Sequence, residues 1–443
     1  MSNQRITYVN AKKYLVGGCS AGGRHHAIFG QPMFLHHANG SKLYDVDGKE
    51  YIEYHTSAGA ALFGYNNPRI NAAIEKATSL GNFVHFDTPY HVELAQHICD
   101  IIPCAEMVRL FNSGTESTQA AIRLARGYTG REIVIRFEGH FHGMHESVWY
   151  NHNGKGEMDN IGEITNIPDS EGFPDCFGSV VKNVEYNDIE ALERVVERYN
   201  DQIACIILEP ISFNCGCYPA RKEYLRQVRE LCNCKGIVLI FDEVICGFRM
   251  RPGSAQGYYG VTPDLTALAK ALGGCLPIAA LVGKREIMDA FNPVGRVVAS
   301  GTTSGALMPV LAAIECMKII KEPEFFDHID RIGDRLYKGI NYLFKKHNLP
   351  GHVRGIGARF SIYFGVEDAE ADYNWRQTVE CFDIEMKNKF VKEALANGLY
   401  FHDYGTSPVP AHNGFGISHT IEDIDVTLNI VDDVFAKLKK NNI

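Results

Sequence analysis

Five short apolar runs constrain this chain more than anything else in it: Met107–Phe111, Ile133–Ile135, Ile203–Leu208, Ile237–Phe241 and Ile278–Val282. None alternates apolar with polar residues, so none suits a strand with one face in water. Runs of this kind fit parallel strands buried on both faces. Helical spacing fills the gaps between them. Lys222 to Asn233 carries Leu225, Val228, Leu231 and Cys232 on one stripe, and Glu116 to Arg126 carries Thr118, Ala121, Ile122 and Ala125. Buried strands alternating with such helices predict a doubly wound α/β domain around a large, mostly parallel sheet. A chain of 443 residues also has room for a second core. The ends read differently. Lys42 to Tyr54 (KLYDVDGKEYIEY) is a hairpin turning at Asp47-Gly48, and from about residue 325 amphipathic helices mix with short strands such as Arg359–Phe364. The expected division is an N-terminal segment over 1–70 that joins the smaller domain, a large domain over 71–322, and a smaller α+β domain over 323–443. Asn151 to Phe173, polar and rich in Gly and Asn, reads as a long loop of the kind that forms lids.

Charge and composition narrow the function. A formal charge of -9 argues against a nucleic-acid partner, which calls for a basic footprint. No apolar run approaches the roughly 18 residues of a membrane span. The opening MSNQRITYVNAKKYL lacks an apolar core with a small-residue cleavage site, which leads to the expectation of a cytoplasmic protein. The 13 Cys are an odd, scattered set that suits a reducing compartment. Cys215-x-Cys217 and Cys232-x-Cys234 have the wrong gaps for a typical zinc site, and Cys232 already belongs to an apolar stripe, so no metal is expected.

In an open parallel sheet, ligands gather at the carboxyl ends of the strands. After Phe111 comes Asn112-Ser113-Gly114-Thr115, opening into a helix, where free N–H groups and hydroxyls suit a phosphate; plain capping explains the hydroxyls equally well. After Phe241 comes Asp242-Glu243-Val244, an acid able to cap, to bind a metal or to pair with a protonated ring nitrogen. Ile203–Leu208 ends similarly at Glu209. Lys270 sits among Ala and Leu before a Gly pair, where desolvation would favour the neutral amine, a nucleophile toward an aldehyde. A Lys stem lying along a helix flank accounts for the same residues. Phe141, in Gly139-His140-Phe141-His142-Gly143, can stack on a flat ring, and the spacing of its flanking His residues is not that of a zincin.

Taken in order, the motifs YDVDGKEYIEY, NSGTES, IRLARGYTGR, FEGHFHG, YNDIEALE, ILEP, FDEVICGFR, YGVTPDLTALAK, GTTSG and SHTIEDIDVTL make the chain resemble the class III aminotransferases among the fold-type I pyridoxal-phosphate enzymes, over nearly its whole length. The resemblance implies a homodimer with shared active sites, pyridoxal 5'-phosphate as cofactor, and small amino and keto or aldehyde substrates. It implies that Lys270 holds the cofactor as a Schiff base and then moves the substrate proton, and that Asp242 keeps the ring nitrogen protonated. Phe141 and Val244 would flank the ring, Ser113, Gly114 and Thr115 would hold the phosphate, and Asn214 would meet the ring hydroxyl. Thr302 would reach the phosphate of the neighbouring subunit. Arg24 would take the substrate carboxylate, for which a fork-shaped donor is suited, and Ser57 would border the substrate.

Two departures bear on the reaction. Where the aminomutase branch of the family has Ser-Trp-Gly-Pro, this chain has Ser57-Ala58-Gly59-Ala60, which leaves a larger pocket. Its acidic residue in a Phe-Glu-Ala stretch has no counterpart in Thr406 to Gly416. The expectation is therefore an aminotransferase working on a β- or ω-amino acid, with an aminomutase and an amino-acid racemase or epimerase as the alternatives that the same chemistry serves.

Overall fold

Val, Ile and Leu fill the expected runs, and these assemble into one eight-stranded sheet in a computed structural model. The structure describes residues 2–152, 154–366, 374–405 and 407–441; Asn153 of the polar stretch and Thr406 of the C-terminal stretch lie outside them. The strands are β1 (Met107–Phe111), β2 (Ile133–Phe137), β3 (Glu163–Ile164), β4 (Val181–Val184), β5 (Ile203–Leu208), β6 (Val238–Asp242), β7 (Leu265–Leu268) and β8 (Ala279–Gly283). Across the sheet they lie in the order β1-β8-β7-β6-β5-β2-β4-β3. The five from β7 through β4 in that order are mutually parallel. β8 runs antiparallel to both β7 and β1, and β3 antiparallel to β4.

The run at Ile278–Val282 is thus a strand buried along its length but not a parallel one. An apolar pattern reports burial on two faces and carries no direction. Direction is set by the connection: the segment between β7 and β8 holds only the 3₁₀ turn Lys270–Gly273, too short for a parallel crossover of about a dozen residues or more. The stretch Asn151 to Phe173 is not wholly loop either, since it contains β3 and forms isolated bridges from Tyr150 to Pro168 and from Met158 to Ile164.

Helix α1 (Gly114–Thr129) follows β1 and ends at Gly130 in the left-handed conformation (φ 69°). It buries Ala120, Ala121, Ile122, Leu124 and Ala125 against Val134, Ile207, Ile240 and Leu281 of the sheet. Helix α2 (Lys222–Lys235) makes the crossover from β5 to β6, with Leu225, Val228 and Cys232 buried and Cys234 exposed.

Contacts divide the chain into two compact units: Pro68–Phe326 with Asn374–Arg376, which holds the large sheet, and Met1–Asn67, Asp327–Tyr373 and Gln377–Ile443. Within the smaller unit, Lys42–Asp45 and Glu50–Glu53 form the hairpin around Gly48 (φ 85°), and Leu399–Tyr400 adds to it in parallel. Arg359–Phe364 is buried at all six positions between Gly351–Ile356 and His412–Gly414. Among the described residues, no helix is long and apolar enough to cross a membrane.

One carboxylate ties the return of β8 to the rest of the large sheet. Asp264 is 5% exposed. Its Oδ2 accepts from Leu239 N and Arg229 Nη1, both at 2.8 Å, and its Oδ1 accepts from Lys284 Nζ at 2.6 Å. Lys284 is half-buried, its side chain 41% exposed, so solvent screens its pair and it adds little; the loss would come from Arg229 and the Leu239 amide left without an acceptor. Asp264→Ala should lower unfolding stability by about 3–5 kcal/mol, read from denaturant midpoints.

Candidate active site

The strand ends converge on a cavity of about 390 Å³ in the larger unit. At the end of β1, Ser113 caps α1: its Oγ accepts from Glu116 N at 3.2 Å, while Asn112 N donates to Glu116 Oε2 at 2.7 Å. The cap uses the Ser113 oxygen only as an acceptor, which leaves its O–H to donate toward the cavity. Among the described residues, the N–H groups of Gly114 and Thr115 meet no acceptor, and at the positive end of a sixteen-residue helix they suit an anion. Glycine is required at 114 because a Cβ there would lie 2.9 Å from both methyls of Val244.

β6 delivers Asp242, which is 4% exposed. Its Oδ1 accepts from Val244 N at 3.0 Å, and its Oδ2 lies 2.8 Å from Nδ1 of His142. Burial pushes this carboxyl up, against the Val244 amide and the charge of Lys270, which both pull it down. Burial, helped by Arg136, holds His142 well below the ordinary histidine range, so the ring is neutral and has one N–H to give. With that proton on Nδ1, Asp242 is a carboxylate with two donors and with room for a cation on the cavity side. A protonated pyridine nitrogen supplies such a cation, so the acid present fits the ring of pyridoxal phosphate.

β5 delivers a second buried acid, Glu209. Its Oε1 accepts from Phe141 N at 2.9 Å, and Asn214 Nδ2 lies 3.1 Å from both of its oxygens. Burial, with the charge of Asp242 adding to it, pushes Glu209 up to about 8. One carboxyl group thus anchors both the loop that carries Phe141 and the loop that carries Asn214. Beyond β7, Lys270 opens the 3₁₀ turn with φ 49°, a left-handed backbone that a side chain adopts only at a cost. Ala267 is in register with Asp242 across β6 and β7, which brings Lys270 to the same end of the sheet.

Of the residues singled out in the sequence, Ser113, Gly114, Thr115, Phe141, Asn214, Asp242, Val244 and Lys270 all line this cavity. Thr302 is not among its lining residues; it is exposed, beside Gly301 and Ser304 of a separate cavity of about 430 Å³. Arg24 and Ser57 belong to the smaller unit. Arg24 is exposed and donates to Ser20 Oγ at 2.6 Å. Ser57 shares a hydrogen bond of 2.9 Å with Tyr65 OH, which donates to the buried carboxyl of Glu53 at 3.1 Å. Two residues of the cavity, His142 and Glu209, take no role from the sequence alone. For Glu209 a signal was there, an acid closing a buried strand. For His142, standing between Phe141 and Gly143, nothing nearby in the chain points to the acid it meets.

Removing the His142 donor should raise the Asp242 pKa, because the ionised form loses one of its two donors. A hydrogen bond to a charged group is worth about 1.5–3 kcal/mol, which corresponds to about one to two pH units. In His142→Ala, the pH below which affinity for pyridoxal phosphate falls should therefore move upward by that amount, measured by equilibrium titration with the cofactor.

A family model for aminotransferase class III matches residues 25–435. Over 433 residues the chain is 37% identical to glutamate-1-semialdehyde 2,1-aminomutase of Persephonella marina, covering 97% of this chain and 98% of that one. An omega-transaminase from Sphaerobacter thermophilus superposes with a TM-score of 0.91 at 26% identity, over 99% of this chain and 98% of that chain. A glutamate-1-semialdehyde aminomutase from Pseudomonas aeruginosa PAO1 shares the fold, with a TM-score of 0.86 at 20% identity over 98% and 94% of the two chains. The chain belongs to the class III aminotransferase family and is a pyridoxal-phosphate-dependent enzyme.

Proposed function

We propose that this enzyme is an aminotransferase that moves an amino group from a β- or ω-amino acid to a carbonyl acceptor, working as a homodimer. The observation that carries the reading is the convergence of Lys270, Asp242, Phe141, Asn214 and the start of α1 on one cavity. Pyridoxal phosphate supplies an aldehyde that condenses with amines and a ring that draws electrons from the carbon losing its proton. Lys270 Nζ would hold the cofactor through that aldehyde and would serve as the base that moves the proton at the substrate carbon. Asp242, oriented by His142 and the Val244 amide, keeps a positive charge on the ring nitrogen. Gly114 and Thr115 would take the phosphate through their amides, with the Ser113 hydroxyl beside them, and Thr302 would take that of the partner subunit. Phe141 and Val244 border the ring, Asn214 meets its hydroxyl, Arg24 takes the substrate carboxylate, and Ser57 borders the substrate.

The structural likeness to an omega-transaminase supports intermolecular transfer, as does Ala58 where the aminomutase pattern has Trp. The 37% identity to an aminomutase favours a second reading, transfer within one molecule. Product analysis separates the two. With a panel of α-, β- and ω-amino compounds, a β- or ω-amino donor should bleach the visible band of the bound cofactor, and an added carbonyl compound should restore it. Conversion of glutamate-1-semialdehyde to 5-aminolevulinate with no added partner would establish the mutase instead. Racemisation of a chiral amine in deuterated water, with no keto product, would establish the isomerase. Lys270→Ala should lose or change the visible band and slow turnover by at least about 10²–10⁴-fold.

A further inference from the structure

The loop that brings Phe141 and His142 to the cavity is gripped from outside by a segment far along the chain. Asn374–Arg376 counts with the larger unit, although Gln377 onward belongs to the smaller one. Arg376 meets Glu138 as a fork: Nε donates to Oε2 at 2.7 Å and Nη2 to Oε1 at 3.0 Å, and Nη2 also donates to Gly156 O at 2.6 Å. Glu138 is 2% exposed and directly precedes Gly139. Trp375, 4% exposed, packs where two glycines with positive φ leave room for it. A Cβ at Gly139 would lie 2.8 Å from its Nε1, and one at Gly154 would lie 2.5 Å from its Cζ3.

The same loop is held from inside. Buried Arg136 donates to the carbonyls of His140 and Tyr150, Phe141 N donates to Glu209, and His142 meets Asp242. These bonds hold the loop on its cavity side. At its outer edge the backbone is tied by Glu138 N to Val184 O at 3.1 Å and by Gly139 N to Asn151 O at 3.0 Å, while the direction of the buried Glu138 carboxylate is set by the Arg376 fork, its ion-pair partner among the described residues. A planar fork locks the direction of a carboxylate as well as its distance.

We propose that Trp375 and Arg376 form a positioning clamp: by holding Glu138 and Gly139 they set the Phe141 ring and the His142–Asp242 hydrogen bond against the cofactor. The proposal rests on the cofactor contacts given under Proposed function. Neither residue touches the reacting atoms, so the effect must show in how the cofactor is held. An ammonium cannot reproduce the fork, so Arg376→Lys keeps the charge but not the geometry.

The test compares Arg376→Lys, Arg376→Ala and Trp375→Phe with the wild-type holoenzyme. The readouts are pyridoxal-phosphate affinity, the circular dichroism of the visible cofactor band, its pH dependence and thermal midpoint. The clamp predicts that Arg376→Lys folds with wild-type far-ultraviolet dichroism, binds the cofactor roughly threefold to tenfold more weakly, and loses at least about half of the visible dichroism. Arg376→Ala should show the same changes, larger. Variants that change the thermal midpoint alone, with affinity and visible dichroism as in wild type, would overturn the clamp; should Arg376→Ala fail to fold, Arg376→Lys decides by itself. A wild-type chain that forms no visible band with pyridoxal phosphate would instead overturn the cofactor contacts, and the clamp with them.

Discussion

A carboxylate closed off from water at the end of a fully buried strand is the constraint around which this active site is arranged. Asp242 closes β6, all five of whose residues are buried. Desolvation works against its charge, and the surrounding groups answer that cost one at a time. The Val244 amide takes one oxygen and His142 the other. His142 can serve because burial keeps it neutral, with a single proton to point at the acid. What remains uncompensated faces the cavity, where a cationic ring would complete the set. The acid is thereby poised for a ligand rather than for a structural ion pair.

Backbone geometry does the rest of the positioning. Gly114 lets α1 start within reach of Val244, so the open N–H groups of the helix and the Val244 side chain meet at one cavity. Glu209 holds the Phe141 and Asn214 loops on one carboxyl group. Lys270 adopts a left-handed conformation at the head of a turn too short to be a crossover. That turn sends β8 back antiparallel, and it places the amine beside the acid instead of carrying it away along a helix.

Much of this was legible in the sequence. Apolar runs without alternation marked β2, β5, β6 and β8, because burial on both faces leaves no reason for polar residues at every second position; the run at β1 marked a strand too, but one at the sheet edge, only partly buried over Met107–Leu110 and paired antiparallel with β8. Chemistry-bearing residues stood at the strand ends, where an open sheet collects its ligands. β3, β4 and β7 were not legible: two are short, and β7 runs into Ala269-Lys270-Ala271 without a break in composition. The pairing of His142 with Asp242 was hidden because the residues lie 100 positions apart, and a His between small residues reads the same whether it meets a metal or an acid. The Arg376–Glu138 fork was hidden for the same reason, across 238 positions.

By itself the sequence determined the layered α/β architecture, for which periodicity suffices, and the family, which the order of its motifs carries; it stood Gly114, Asp242 and Lys270 just past buried strands, where local residue type alone left their roles open. Tertiary structure alone decided the direction of β8, the meeting of His142 with Asp242, and the anchoring of two loops on Glu209. Those depend on which groups face one another after water has been excluded, and a buried polar atom takes whatever partner the fold brings within about 3 Å of it.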